Sequence, residues 1–401
     1  MNQSNRNLRI TFLRALPYFF TICLLFSLMI VTLKTAVSAE STGSSAEEAL
    51  PEYSIVLSDS GSSSDCSSVT INGSLITVTE EGSYTVSGSL SSGQLRVETD
   101  KDSKVRLILN GVTVSNSDSA AIYVVSADKV VLKLADGSVN TLRNGGSFVQ
   151  TDESNVDAVV FSKDDLTVSG GGSLAVISPS GHGIVSKDDL KIKSGSLSVT
   201  SGRKALSAND TLTVEDGDLS LTAGTEGMEA TYVLVNGGSI RVQAGDDGIN
   251  ATWNSDTLSP GVEINGGDIS ITMGQGDTDG IDSNGNLMIT GGTIDITGNS
   301  SFDCDGQITF TGGTVIVNGQ QVDTIPNQMM GGFGGMGRGA HGNTVQGGQF
   351  DSGTGGTDGS SLEEHFGNQG SFGDFNGMPG GMGPGGQHGH GGFGVSPGGA
   401  W

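Results

Sequence analysis

The sequence predicts an all-β chain wound into a three-sided parallel β-helix, a solenoid of about 22 residues per coil. Three observations lead there. Composition is the first: 66 glycines and 5% aromatic residues in 401 suit many short strands between tight turns, not one thick core. The second is alternation of apolar and polar residues from 69 to 325, with almost no helical periodicity. The third is a repeat whose members align in columns.

The clearest column is a glycine turn entering an alternating strand. It reads GGSLAVIS at 171–178, SGSLSVTS at 194–201, DGDLSLTA at 216–223 and GGSIRVQA at 237–244. It continues as GGDISITM at 266–273, GGTIDITG at 291–298 and GGTVIVNG at 312–319. The aligned apolar residues are Leu174, Leu197, Leu219, Ile240, Ile269, Ile294 and Val315, spaced by 21 to 29 residues. A second column holds SKDDLTV (162–168), SKDDLKI (186–192), SANDTLTV (207–214) and DSNGNLMI (282–289), whose Asn and Asp suit tight turns. A third aligns Val159, Ile184, Leu206, Met228, Ile249, Ile281 and Phe302. Same-direction columns at one period favour stacked coils over the hairpins of an antiparallel sandwich. Residues 51–150 read as larger first coils with a cap strand or hairpin at 53–85, and 143–156 and 251–260 as inserted loops.

The ends are different material. Arg6, Arg9 and Arg14 precede an apolar run from Leu16 to Leu33 and a small-residue site at Val37-Ser38-Ala39, so 1–39 reads as an export signal. An uncleaved anchor is the alternative, and the only membrane contact expected. Either way the remainder is expected to be secreted or at the cell surface. Residues 40–52 read as a linker, 53–325 as the β-helix, and 326–401 as a disordered Gly-rich C-terminal tail. His388 and His390 in that tail are weak metal candidates.

Charge excludes one class of partner. The chain carries −25, and loss of 1–39 removes four bases and no acid, leaving 15 bases against 44 acids. Nucleic acid needs clustered Lys and Arg, so it is excluded. A monomer is expected, and Cys66 and Cys304 lie too far apart in the array to pair.

The third column carries the chemistry. Two positions before its apolar residue stand Asp157, His182, Lys204, Glu226, Asp247, Asp279 and Ser300. One position after it stand Val160, Val185, Ser207, Glu229, Asn250, Asp282 and Asp303. From Glu226 onward both positions offer oxygen, with Asp246, Asp277 and Asp305 nearby. Carboxylates stacked at about 4.8 Å repel by roughly 3–4 kcal/mol per pair at an effective dielectric of 20. Hard oxygen ligands select Ca²⁺ over transition metals, so the cluster is a candidate calcium edge. Gly227, Gly248 and Gly280 are expected to let backbone carbonyls join it. The bland reading, Asp and Asn as turn formers, is preferred for Asp164, Asp165, Asp188 and Asp189.

With the SKDDLxI turns, GHGIVSKDDL (181–190), GDDGINA (245–251) and the Gly/Met/Phe tail in view, the chain resembles a bacterial family. These are calcium-containing, carbohydrate-binding right-handed parallel β-helix proteins of Firmicutes, shaped like pectate lyases. The resemblance covers 53–325. It implies a non-catalytic binder of acidic plant-type polysaccharide such as polygalacturonate, with cellulose as a second ligand. An acidic protein holds a polyuronate through bridging cations, which couples calcium to ligand. Trp253, in the 251–260 insert, is the candidate sugar-stacking platform, with packing over the coil as its alternative. Arg203 and Lys204, the adjacent basic pair, are candidate substrate-binding residues. They also keep open a lyase-type β-elimination, although a salt bridge to Glu226 is their plainer role. A structural surface adhesin is the third alternative.

Overall fold

The computed structural model describes residues 49–150, 152–274 and 278–327. The export segment, most of the linker, Asp277 and all of the tail after Asn327, with its histidines, lie outside the described residues; the start of the expected tail, at Asn327, is ordered against Cys304. Every described element is a strand, and nearly every pairing is parallel and joins one coil to the next.

Each coil contributes three strands. The first face stacks Val139–Asn144, Ser173–Ser178, Ser196–Ser201, Asp218–Ala223, Ser239–Ala244, Asp268–Met273, Thr293–Thr297 and Thr314–Val317. Its register places Leu174, Leu197, Leu219, Ile240, Ile269, Ile294 and Val315 in one ladder, as the sequence alignment has it. All of them are buried. The second face stacks the strands that follow the SKDDL-type turns, from Asp165–Gly170 to Ile308–Phe310. Lys104–Asn116 is long enough to pair with strands of both faces, which joins them into one hydrogen-bonded sheet of 21 strands.

The third face is a separate sheet of 11 strands, and its strands are short. Here the register corrects one expectation. Val160, not Val159, stands over Ile184, and Ala158 over His182, so Asp157 drops out of the column. Val159 and Val160 are both apolar, and the alternation could not choose between them.

This face has an unusual backbone. In a regular strand successive amides point to opposite neighbours. Here Gly183 and Ile184 both donate to the next coil, at Lys204 and Ala205; Ala205 and Leu206 donate to Glu226 and Gly227; Gly227 and Met228 to Asp247 and Gly248. The kink turns two adjacent residues inward and leaves those on either side of them outside the core. A Cβ on Gly183 would lie 2.3 Å from Val199 Cγ1, on Gly227 2.3 Å from Val242 Cγ1, and on Gly248 2.5 Å from Ile271 Cγ2. These glycines therefore admit the core of the first face. The carbonyls of Gly227 and Gly248 each accept a coil-to-coil bond.

Both ends are closed by antiparallel pairs, which blunt exposed sheet edges. Glu52–Leu57 folds back on Ser63–Ser64, and Val69–Asn72 on Leu75–Val78. Thr314–Val317 pairs with Gln320–Val322 at the other end. Asn327 imitates one more rung, its side chain accepting from the Cys304 amide at 2.9 Å and donating to the Cys304 carbonyl at 3.0 Å. Cys66 and Cys304 are free and buried.

Gly248→Ala tests the kink. The added carbon meets the stiff Ile271 side chain and the Gly280 carbonyl, so denaturant unfolding is expected to show a loss of about 1–3 kcal/mol. The reverse change at the equivalent position, Ala205→Gly, should cost much less.

Candidate functional site

Because the kink leaves two residues per coil outside the core, the third face carries two outer ranks. One rank pairs Ser207, Glu229, Asn250, Asp282 and Asp303 coil by coil. The other brings Lys204, Glu226, Asp247, Asp279 and Ser300 to the matching positions, through the same ladder bonds. The structure thus assembles seven of the ten predicted oxygen donors along one edge. Asp246 and Asp305 stand exposed on the flanking turns, and Asp277 lies outside the described residues.

Despite facing outward, much of the edge is hidden, because each side chain is roofed by the coils above and below. Asp247, Asn250 and Asp279 are each 9% exposed. Burial, with Asp246, Asp282 and Asp279 around it, pushes Asp247 up to about 7, although the Asp279 amide donates to its Oδ1 at 3.1 Å. Burial also raises Asp282, to about 6, with Asp303, Asp279 and Asp305 adding repulsion. Ser300 donates to Asp279. Three buried oxygens of the edge, Glu226 Oε2, Asn250 Oδ1 and Asp303 Oδ1, have no hydrogen-bond partner. Buried polar atoms rarely stay unsatisfied.

This donor set fits a hard cation in kind, being carboxylate and amide oxygen throughout. It is not a finished cage. Among the described residues no three His, Cys, Asp or Glu side chains are grouped as a metal site. A calcium ion here would draw on Asn250 and on oxygens supplied by its ligand.

Glu229 is differently placed. It forms an ion pair with Lys204, and its Oε1 also accepts from Asn254 Nδ2 at 3.1 Å. Lys204 therefore meets Glu229, not Glu226. Arg203 turns the other way, 3.6 Å from Asp157. Asp157 is also 3.4 Å from His182 Nε2, while His182 Nδ1 accepts from the Lys204 amide at 3.2 Å. Farther along the face the outer rank becomes Arg96, Tyr123, Phe161 and Val185. The 145–157 loop covers this apolar stretch, tied down by Tyr123 Oη donating to Asp152 at 2.6 Å.

Trp253 is not packed over the coil. It is 64% exposed, and its neighbours hold it at the edge. Thr252 Oγ1 donates to Asn284 Oδ1 at 2.9 Å, and the Asn254 and Ser255 amides donate to Thr231 Oγ1. The Asn254 side chain reaches Glu229, so the loop that carries Trp253 is anchored beside the acidic ranks.

A family model described as a carbohydrate-binding domain-containing protein matches residues 72–323, which include the whole edge. The chain belongs to this carbohydrate-binding domain family. A member from Acetivibrio thermocellus is 38% identical over 209 residues, covering 50% of this chain and 71% of that protein. The solved structure of a polysaccharide lyase-like protein from C. thermocellum, a gadolinium derivative, matches with a TM-score of 0.54 at 26% identity. That match covers 65% of this chain and 99% of the other.

Sequence reasoning about this carbohydrate-binding domain missed Asn254, which links the Trp253 loop to Glu229, and the His182–Asp157 contact. Both are made between coils, and only the insert's unusual length hinted at the first.

The raised carboxyls set a pH dependence. Asp247 binds its proton more tightly folded than unfolded, so its contribution to stability is full below about pH 4 and is lost as pH rises through about 7. In chelator, the melting temperature should fall between pH 5 and 8. Asp247→Asn should flatten that slope, and an unchanged slope would contradict the assignment.

Proposed function

We propose that this family member binds acidic polysaccharide along the third face through Ca²⁺ held on the 226–305 edge, and does so outside the cytoplasm without cleaving its ligand. The observation that carries this reading is the set of buried, unpartnered oxygens of Glu226, Asn250 and Asp303, lying among carboxyls that burial and mutual repulsion keep protonated too readily. A bound cation supplies the missing partner and reverses the repulsion. Asp246, Asp247, Asp279, Asp282 and Asp305 are the further proposed ligands, with Asp277 on the segment between them. Because the described side chains alone form no closed cage, sugar carboxylates complete the coordination, and ion and ligand bind together. The solved polysaccharide lyase-like relative is a gadolinium derivative, and hard cations of that kind take oxygen ligands such as these.

Trp253 supplies the neutral half of recognition. An exposed indole on an anchored loop offers a flat face for the C–H side of a pyranose ring, at small conformational cost. Absence of cleavage has a physical support as well. A β-elimination needs a base that can take a proton from the sugar. Lys204 is committed to its ion pair with Glu229, and Arg203, which has no proton to give up at ordinary pH, lies beside Asp157.

Calorimetric titration with polygalacturonate, in Ca²⁺ and in EDTA, tests the reading. Affinity is expected to fall at least about tenfold in EDTA, and Asp247→Ala/Asp279→Ala should lose the calcium response while melting cooperatively. Equal affinity in both buffers would overturn the calcium bridge. New ultraviolet absorbance from unsaturated uronate would overturn the non-catalytic claim.

A further inference from the structure

The third face reverses sign along its length. Before Glu226 neither outer rank contains a carboxylate among the described residues: one holds Arg96, Tyr123, Phe161, Val185 and Ser207, the other Ala158, His182 and Lys204. The 145–157 loop's return brings two acids against this stretch: Asp152, which accepts from Tyr123 Oη, and Asp157. Asp157 sits among His182, Lys187 and Arg203; burial alone would raise it, yet His182 and the two cations hold it below the ordinary carboxylate value.

The bases here differ in availability. Lys204 has a side chain 24% exposed and is committed to Glu229, which is 4% exposed. Arg203 has a side chain 56% exposed, and its 3.6 Å contact with Asp157 leaves most of the guanidinium edge to solvent. Lys187 is exposed too, with Nζ 5.7 Å from the Phe161 ring centroid, a contact that positions the ammonium without neutralising it. Two cations thus face one carboxylate, on a chain with 19 bases against 44 acids. Asp188 and Asp189 follow Lys187 but belong to the next turn, where Asp188 faces Asp164, Asp165, Asp189 and Asp210.

From this geometry we infer that Arg203 and Lys187 form a direct anion subsite, continuous with the acidic edge, that takes a carboxylate of the same acidic sugar chain without any metal ion. The inference rests on the proposed binding of acidic polysaccharide to this face. Arg203 presents a planar fork suited to a carboxylate, and Lys187 adds a point charge beside it. A polyuronate lying along the axis is held by cations of the protein at one end and by bound ions at the other. Beyond the subsite, Phe148 lies against Gly181 and Asp152 accepts from Tyr123 Oη.

The test titrates oligogalacturonate into the full chain, with Ca²⁺ or with EDTA, at low salt. Wild type should keep a weak component in EDTA that disappears near about 0.5 M salt, as screening predicts for exposed charges. Lys187→Ser/Arg203→Ser should weaken that component about tenfold or more and leave the calcium-dependent component in place. Arg203→Lys should retain most of it, and a methyl-esterified oligomer should not show it. Asp247→Ala/Asp279→Ala should behave in the opposite way, losing only the calcium-dependent part. Wild-type binding confined to Ca²⁺ would overturn the subsite and leave the calcium reading standing. An EDTA-resistant component that survives the double serine change would also overturn it. Binding that ignores Ca²⁺ but needs Arg203 and Lys187 would do the reverse, upholding the subsite against the calcium bridge.

Discussion

The whole array depends on parallel coil-on-coil hydrogen bonding, which obliges each side chain to sit about 4.8 Å above its counterpart in the previous coil. Inside, that constraint is favourable. Leu over Leu over Ile builds continuous ladders with no polar group to satisfy, and a chain with few aromatics still fills its core. Outside, the same constraint stacks whatever the surface carries. Ser and Thr on the first face stack at no cost, whereas carboxylates on the third face cannot.

The third face makes this acute because of its kink. A regular strand of three residues would expose one side chain per coil, but two inward residues in succession expose one on each side of them. From Gly183 onward the first inward position holds glycine, or alanine and serine at Ala205 and Ser301, and beside the glycines the first face's Val199, Val242, Ile271 and Ile296 occupy the space. The outer ranks are thereby doubled while the core pays no attention to them. Glu226/Glu229, Asp247/Asn250 and Asp279/Asp282 occupy three coils in succession, and burial with crowding lifts Asp247 to about 7 and Asp282 to about 6.

Legibility in the sequence followed the same division. The first face was readable to the residue because seven copies share a glycine turn and strict alternation. The second was readable from its Asp-rich turns, although their carboxylates bond between coils and not within their own turn: that of Asp189 accepts from the Thr211 amide and that of Asp164 from Ala127. The third face was readable from Ile184 onward. It slipped by one residue at Val159, where two valines meet a loop of unpredictable return. The glycines were seen but their purpose was not, since their neighbours lie on another face, some fifteen to twenty-three residues away in sequence. Lys204 was matched to its register neighbour Glu226 when its contact is diagonal, to Glu229. Column alignment predicts which residues stack; it does not predict where long side chains lean.

That leaning decides how the face is divided. Had Lys204 reached Glu226, the acidic edge would begin one rung later and Glu229 would stand buried without a cation. Its actual pairing consumes one acid and one base together and draws Asn254, and with it the Trp253 loop, onto the boundary. The neutral pair separates the surplus cations Arg203 and Lys187 from the surplus carboxylates of the following coils. A charge reversal over so short a distance needs such an insulating pair, because otherwise the exposed bases would fold back onto the nearest acids and cancel both ends. The Lys204–Glu229 contact is thus the hinge of the surface: it belongs to neither half, and both halves keep their charge because of it.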